Sequence, residues 1–390
     1  MPSKTLSTAL LAALAAGATV PALALEPDTL TVWVGTNRDI DRLRTIGERF
    51  TEELGIPVEV VEVDPLPDKF QQAAATGDGP DLAMHAHDRL GEWSSGGLIS
   101  PINPSQGFTD GIIDTAMEAV TFDGRVWGYP VAVEAVGLIY NRALVESPPE
   151  TFEELVGAEI EGAETPILWD YNNTYFTFPL MAANGGYAFE KVDGSYDGST
   201  TGVNNEGAVA GAALLEELIE SGTMPKGVDY GIMDGAMSKG EVGMVINGPW
   251  AWGNLEAAGL DIGVAPLPTV GGEPAVPFVG VQAFAVNAAS PNKDLAAEFI
   301  ENYVLSDEGL ATWNAGNALG TLADESAAAE QDDPKVATTL EIAKGGVPMP
   351  SNPEMGAFWS AMEPALANIT SGAQDPQKAL DDAAARITAE

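Results

Sequence analysis

The chain has 390 residues, with 17 Lys and Arg against 58 Asp and Glu, so its net charge at pH 7 is −41. Such a charge excludes nucleic acid and anionic membranes as partners, because both would be repelled. There is no cysteine, which excludes disulfides, and 45% of the residues are hydrophobic, which excludes an acidic disordered chain.

Residues 1–24 are predicted to be a cleaved secretory signal peptide. Lys4 gives a positive start, residues 5–20 are apolar or small, and Ala22 and Ala24 have signal-peptidase spacing, so cleavage is expected after Ala24. Loss of Lys4 takes the net charge from −41 to −42. No later run approaches about 18 apolar residues, so a soluble mature protein is expected. Since no cysteine can carry a lipid anchor, we place it in a periplasm. The scattered acidic residues predict adaptation to high salt, which screens their repulsion.

Strand and helix patterns alternate at the start of the mature chain. The run LTVWVG predicts a strand, and IDRLRTIGERFTEELG predicts a helix that ends at Gly55, with Leu43, Ile46, Phe50 and Leu54 on one face. PVEVVEV and DLAMHA predict the next strands, with a short helix between them. This alternation predicts a parallel sheet.

A hairpin turn is predicted at Asp123-Gly124, and a second α/β set begins after Val133. Its predicted strands are GLIYN, PILWD, EVGMVING and DIGVAPLP, followed by the long strand FVGVQAFAVNAA. Its predicted helices are NNEGAVAGAALLEELIESG, capped by Asn204 or Asn205; PWAWGNLEAAG; SPNKDLAAEFIENYV, capped by Ser290 with Pro291 at its first position; and DPQKALDDAAARI. Two α/β sets without a linker indicate two lobes that share a cleft.

Both histidines of the chain, His85 and His87, lie in one short run beside Asp88. On a strand they would point to the same side, as a pair of metal ligands does. Catalytic zinc usually has three protein ligands, so a carboxylate would have to complete the set; Asp88 could do so, but the larger hydrolytic pattern H-x-H-x-D-H is absent. We therefore predict no metal and interpret the run as polar side chains at the end of a strand beside a cleft.

Other catalytic patterns are mostly absent. TGDGP lacks the residues of a phosphate-binding loop and precedes a strand, so no nucleotide cofactor is predicted. No G-x-S-x-G elbow occurs, which removes a serine–histidine triad. Glu134 and Asp88 stay open as the paired carboxylates of a glycosidase, because buried carboxylates that bind sugar hydroxyls look the same in sequence.

Aromatic residues stand among polar ones in NGPWAW, TYFTF and GAFWSAM. Phe178, Trp252 and Phe358 are predicted to belong to the core. Trp250 and Trp359 are predicted at helix starts near the lobe edges, where flat rings beside carboxylates and amides suit a sugar.

Several long runs are specific enough to indicate a family: AATGDGPD with AHDR, YPVAVEA with LIYN, YFTFPL with GGYAF, NGPWAW, PFVGV, NAASPNK, LSDEGL and AFW. Through them the chain resembles the periplasmic maltose- and maltodextrin-binding proteins of bacterial ABC importers, over about residues 30–387. The resemblance implies an α/β, two-lobed periplasmic-binding-protein fold with doubly wound sheets and the ligand cleft between the lobes. It implies lobes of 25–132 plus 284–328 and of 137–278 plus 335–390, joined by hinges at 133–136, 277–283 and 329–334.

The resemblance also implies a ligand-binding set. Trp250 and Trp359 would stack on the sugar, while Asp88 and Arg89 would bind its hydroxyls through charge-assisted hydrogen bonds. The full set is Asn37, Arg38, His85, Ala86, Asp88, Arg89, Glu134, Asn173, Tyr175, Phe176, Trp250, Met349 and Trp359.

The chain departs from the family pattern at several positions. His85 stands where a stacking tryptophan is usual, Asn37 and Arg38 replace an Asp-Lys pair, and Asn173 replaces a glutamate. The other departures are Pro67 and Asp68 for a Glu-Glu pair, Thr174 for a proline, Ser360 for a tyrosine and Glu363 for an arginine.

The resemblance implies a receptor, not an enzyme, that binds maltose or a related α-glucoside as a monomer without a cofactor. The receptor would deliver its sugar to an inner-membrane ABC permease. Another disaccharide such as trehalose stays open because of the departures, and a secreted glycosidase stays open as the alternative from another class.

Overall fold

The computed structural model describes residues 25–36, 38–192, 195–315 and 319–389. The predicted signal peptide, residues 1–24, lies outside these ranges. No helix within them combines the length and the apolar character that crossing a membrane requires.

The strands of the described residues, in chain order, are β1 (Leu30–Val34), β2 (Val58–Glu62), β3 (Leu82–Ala86), β4 (Ile99–Ser100), β5 (Thr121–Phe122), β6 (Arg125–Val126), β7 (Tyr129–Ala135), β8 (Gly137–Asn141), β9 (Thr165–Leu168), β10 (Glu190–Val192), β11 (Ser195–Asp197), β12 (Val242–Asn247), β13 (Ile262–Ala265), β14 (Phe278–Asn287), β15 (Thr321–Leu322) and β16 (Val347–Pro348).

The helices of the same residues are α1 (Ile40–Leu54), α2 (Leu66–Ala74), α3 (Leu90–Ser95), α4 (Gln106–Gly111), α5 (Asp114–Ala119), α6 (Thr174–Ala182), α7 (Glu206–Glu220), α8 (Tyr230–Ser238), α9 (Trp252–Ala257), α10 (Lys293–Phe299), α11 (Asp307–Trp313), α12 (Glu325–Ala329), α13 (Pro334–Gly345), α14 (Met355–Ser371) and α15 (Pro376–Ile387). Short 3-10 turns lie at His87–Arg89, Phe152–Leu155 and Pro249–Ala251, and a π-helical turn, Ile300–Val304, continues α10.

The larger sheet has the strand order β15-β7-β14-β3-β1-β2, and β4 and β16 also pair with β14. β1 pairs in parallel with β2 and β3, as the alternating strand and helix patterns predicted. β14 runs antiparallel to both of its main neighbours, β3 and β7. The strand that comes late in the chain therefore lies in the middle of the sheet.

Both faces of the larger sheet are buried, as a doubly wound sheet requires. Val32 and Val34 of β1 pack in a cluster with α1 and the π-helical turn, while Trp33, between them, packs on the opposite side with α2 and α3. Phe284 and Ala285 of β14 divide between the two faces in the same way. Successive strand residues point to opposite faces, so an apolar run with no alternation is buried on both.

The smaller sheet has the order β13-β8-β12-β9. β12 is parallel to β9 and antiparallel to β8. Its core includes residues of α6, α7, α14 and α15, and it forms the second lobe. One buried residue, Val136, separates β7 in the larger sheet from β8 in the smaller one, so the chain passes between the sheets there. The exact lobe boundaries stay a prediction.

Most predicted helix and turn signals are confirmed. The side chains of Asn205 and Asp375 accept backbone hydrogen bonds at the starts of α7 and α15. Asp123 and Gly124 both have positive φ, 51° and 70°, in the tight turn between β5 and β6. Such a turn matches the twist of the two strands it joins.

Two details of the predicted helices were wrong. Leu54, expected on the buried face of α1, is 46% exposed, because the helix ends there. Ser290 does not cap a helix, and Pro291 is not a first helical residue, since α10 begins at Lys293. The Ser290 hydroxyl instead donates to Asp81 at 2.5 Å, and this buried carboxylate also accepts hydrogen bonds from the Thr31 backbone and the Asn292 amide.

Candidate ligand-binding cleft

A cavity of about 700 Å³ is lined by side chains from both lobes. All the predicted binding residues that the structure describes line it: Arg38, His85, Ala86, Asp88, Arg89, Glu134, Asn173, Tyr175, Phe176, Trp250, Met349 and Trp359. Asn37 lies outside the described residues. The predicted set is thus brought together in one place, although its role in binding stays a prediction.

Other lining residues were missing from the predicted set: Thr36, Asp64, Asp170, Thr174, Tyr230, Gly280, Gln282 and Glu363. Thr36 and Asp170 each come two residues after a strand, β1 and β9. Ligands of open α/β sheets bind beyond the carboxyl ends of strands, so this rule could have found both. Gln282 lies inside β14, and its amide donates to Glu134 on the paired strand β7, a contact between distant residues that no local sequence pattern shows.

A largely buried ion pair forms part of the cavity wall. Glu134 on β7 is 3% exposed, and its two carboxylate oxygens accept hydrogen bonds from both terminal nitrogens of Arg38. Gln282 donates a further hydrogen bond to Glu134 at 2.9 Å. The charge of the carboxylate is therefore compensated within the protein, and its oxygens are already engaged.

The two histidines have different surroundings, because β3 ends at Ala86 and His87 begins a 3-10 turn. His87 is buried, its Nδ1 accepts from the Val281 backbone at 3.0 Å, and its Nε2 lies 2.9 Å from the Met349 carbonyl oxygen. These partners require a neutral ring with the proton on Nε2. Burial agrees with this, since it lowers the pKa of His87 to about 4.

His85 is partly buried and faces the cavity, with its ring 6.2 Å from that of Trp93. Burial, together with the positive charges of Arg89 and Arg38, lowers the pKa of His85 to about 3. The ring is neutral at physiological pH and offers one donor and one acceptor. Among the described residues, no group of three or more His, Asp or Glu side chains is placed to hold a metal ion.

A chain of polar contacts runs from one lobe to the other at Asp88. The indole N–H of Trp359, on α14, donates to Asp88 at 2.9 Å. The guanidinium of Arg89 lies 3.8 Å from the same carboxylate oxygen and donates to Glu92 at 3.1 Å. Burial raises the pKa of Asp88 to about 6, although Arg89 and the indole N–H oppose the rise.

Aromatic rings form one wall of the cavity. Tyr175 lies 6.2 Å from Trp250 and is stacked at 6.5 Å on Phe278, which is buried behind it. Phe176 meets Trp250 edge to face at 6.3 Å. Trp250 and Trp359 are partly buried, whereas Phe178, Trp252 and Phe358 are fully buried, as the sequence predicted.

The rim of the second lobe is acidic and polar. Burial raises the pKa of Asp170, and the negative charges of Asp229 and Glu363 add to the rise. Asn173 is exposed, and its side chain caps α6 by accepting from the Tyr175 backbone. The buried hydroxyl of Thr174 has no hydrogen-bond partner in the described structure, so it is available to form a hydrogen bond with a ligand.

A second cavity, of about 560 Å³, shares Arg89 with the first. It lies between α2, α3 and α14, and its lining residues include Asp68, Gln71 and Ser360. Gln71 donates to Glu92 at 3.0 Å, and Arg89 donates to the other oxygen of that carboxylate. The two cavities thus adjoin across one row of polar side chains.

Comparison with known sequences finds a family match over residues 45–338, to the family described as bacterial extracellular solute-binding protein. The chain is 29% identical over 375 residues to the galactooligosaccharide-binding protein of Bacillus subtilis, covering 91% of this chain and 87% of that protein. It is 29% identical over 363 residues to a maltodextrin-binding protein of the same species, covering 87% and 85%. It is 27% identical over 382 residues to the maltooligosaccharide ABC transporter solute-binding lipoprotein of Streptococcus pneumoniae, covering 93% and 88%.

Proposed function

The chain belongs to the bacterial extracellular solute-binding protein family, and we propose that it captures maltodextrin-type α-glucosides in the cleft between its lobes. The observation that carries the proposal is the mixed lining of this cleft. Partly buried tryptophans, Trp250 and Trp359, stand beside carboxylate, guanidinium and imidazole groups. A pyranose ring presents an apolar C–H face and a rim of hydroxyls, and this lining suits both.

Each group has a stated role in this proposal. Trp250 and Trp359 stack on sugar rings, Arg89 donates to hydroxyls, and His85 can both donate and accept because its imidazole is neutral. A neutral sugar brings no charge that the acidic protein would repel. The names of two relatives, a maltodextrin-binding and a maltooligosaccharide-binding protein, point to the same class of ligand.

We propose binding without catalysis. The glycosidase alternative needs Glu134 and Asp88 as a free acid and a free nucleophile or base. Glu134 is held by Arg38 and Gln282, and Asp88 accepts from Trp359, so each carboxylate has a structural partner. The relatives are named as binding proteins. Incubation of the purified protein with maltose should release no glucose.

The proposed setting is a periplasm. The mature chain, after cleavage behind Ala24, would be a monomer that presents its closed, sugar-loaded form to an inner-membrane ABC permease. The name of the Streptococcus pneumoniae relative places that protein in an ABC transporter. The net charge of −41 suits a habitat of high salt, because counterions screen the repulsion.

Oligosaccharides longer than a disaccharide are the favoured ligands. The second cavity adjoins the first at Arg89 and gives room for a further sugar unit. A galactooligosaccharide is the second candidate, because a relative with 29% identity carries that name. Trehalose is a third candidate, because several site positions such as His85 and Asn173 depart from the family pattern, although its short length would leave the second cavity empty.

Isothermal titration calorimetry in molar sodium chloride tests the proposal. The panel is maltose, maltotriose, maltotetraose, trehalose and a β-galactosyl trisaccharide. We expect the tightest binding for maltotriose or maltotetraose. Tighter binding of the galactosyl trisaccharide or trehalose would replace the ligand class, and no binding of any sugar would overturn the proposed function.

A further inference from the structure

Two residues that were predicted to bind the sugar, Asp88 and Trp359, form a hydrogen bond with each other. Asp88 follows β3 in the first lobe and is 4% exposed, and Trp359 lies on α14, which packs in the second lobe. The indole N–H donates to the Asp88 carboxylate at 2.9 Å. The contact therefore links the segment after β3 to the helix α14 that lines the other side of the cavity.

We propose that Asp88 is a positioning residue that acts through Trp359. Its carboxylate holds the indole N–H across the cleft and so fixes the plane of the ring on which the sugar stacks. The inference rests on the proposed function, because the orientation of the Trp359 ring matters for binding only if a sugar stacks on it. In this proposal Asp88 does not bind the sugar hydroxyls directly but orients the Trp359 ring that binds the sugar.

The surroundings of the indole explain why one hydrogen bond decides its orientation. Phe358 meets the Trp359 ring edge to face at 4.9 Å, and Phe278 does so at 5.7 Å. Such contacts are apolar and tolerate rotation about the side-chain bonds, whereas an N–H bond to a carboxylate is directional. Among the described residues, the Asp88 carboxylate is the one acceptor of this N–H.

The charge of Asp88 makes the strength of its hydrogen bond to Trp359 depend on pH. Arg89 and Glu92 face the carboxylate from its own segment, Trp359 faces it from α14, and the Tyr175 hydroxyl approaches from α6. Burial raises the pKa of Asp88 to about 6. Above that pH the indole bond is charge-assisted, and below it the acceptor is neutral and the bond is weaker.

The pH dependence of the protein's stability is opposite in direction to the pH dependence of its sugar binding. In the unfolded chain an aspartate titrates near pH 3.9, so the native state holds more protons between about pH 4 and 6. Stability therefore falls as the pH rises through this window, and at neutral pH the ionised Asp88 costs stability. Asp88→Asn removes that cost, so it should melt no lower than the wild type at pH 7.5 while binding sugar more weakly.

A double-mutant cycle separates a positioning role from a direct one. Calorimetric titration with maltotriose at pH 7.5 is run on Asp88→Asn, on Trp359→Phe, which keeps a ring but deletes the donor, and on the double variant. We expect Asp88→Asn to weaken binding roughly fivefold in the wild-type background, the difference between a charged and a neutral acceptor. In the Trp359→Phe background the same substitution should cost less than about twofold. Trp250→Phe is the matched background, and there the roughly fivefold loss should persist.

The pH profile gives an independent readout. Wild-type affinity for maltotriose should fall as the pH is lowered from 7.5 to 5, with a midpoint near the pKa of about 6. Trp359→Phe and Asp88→Asn should both lack this midpoint. An equal loss from Asp88→Asn in all backgrounds would mean that Asp88 binds the sugar directly, and the inference would be wrong.

A sugar-free measurement keeps this inference distinct from the proposed function. The tryptophan fluorescence of the wild type minus that of Trp359→Phe is titrated from pH 7.5 to 4.5. A step near pH 6 that is missing in Asp88→Asn supports the Asp88–Trp359 contact whether or not maltotriose binds. A featureless difference titration would overturn the inference, whereas failure of all sugars to bind would overturn the proposed function alone.

Discussion

We expect Trp250→Ala to weaken maltotriose binding by roughly 60-fold while leaving the fold intact. Trp250 lines the cavity, and its ring lies 6.2 Å from Tyr175 and 6.3 Å from Phe176. A tryptophan buries about 150–250 Å² when fully covered, so a sugar on one face covers roughly 100 Å². At about 25 cal/mol per Å² this contact contributes about 2.5 kcal/mol, which is roughly 60-fold in Kd.

The assay is isothermal titration calorimetry at 25 °C in molar sodium chloride, with a thermal melt of each variant. Trp250→Phe keeps a smaller ring and should lose less affinity than Trp250→Ala. The control is Tyr187→Ala, whose ring is 37% exposed and does not line the cavity. Unchanged affinity in Trp250→Ala would remove Trp250 from the site, and a loss equal to that of the Tyr187 control would refute the stacking argument.

Three further predictions concern stability and metal. Chelator treatment should leave maltotriose affinity unchanged, because both ring nitrogens of His87 are already bonded within the protein; stoichiometric zinc lost together with binding would contradict this. The melting temperature should rise as the sodium chloride concentration is raised to about 1 M, because salt screens the repulsion within a chain of charge −41. The affinity for maltotriose should change less. A melting temperature that does not vary with sodium chloride would rule out salt adaptation. Glu134→Gln should lower the melting temperature by roughly 4 °C, because it leaves Arg38 without its charged partner at a cost of about 3 kcal/mol. The control is Glu273→Gln, at an exposed position, which should change the melting temperature little. Equal melting temperatures for the two variants would show that the ion pair does not stabilise the protein.

The sequence predicted the fold best where local patterns decide the structure. The apolar face of α1 and its stop at Gly55 come from spacing and glycine chemistry within 16 residues. Helix α6 was not predicted, because TYFTFPLMA is buried on nearly every side and so has no polar stripe to reveal a helical period. Ser290 was wrongly predicted as a cap because its true partner, Asp81, lies 209 residues away.

For the site, the resemblance supplied residues that the structure places around one cavity, but it could not supply their partners. Arg38 and Glu134 were both expected to face the sugar, yet they are bonded to each other. The same holds for Asp88 and Trp359. Such pairings join residues that are 96 and 271 positions apart in the chain, which no local pattern in the sequence encodes.

The central position of β14 affects how an exported chain would reach its folded state. Strands β1 to β3 come first in the chain and pair with one another, but β3 gains its second neighbour, β14, only when residues up to Asn287 are available. The core of the second lobe likewise waits for Phe358, Leu366 and Leu380. Even the first described residues are tied late, since the Asp28 backbone donates to Asn292, 264 residues further on. Neither lobe can complete its core until most of the polypeptide is available, so the order of the segments makes both lobes fold late in relation to the order of the chain.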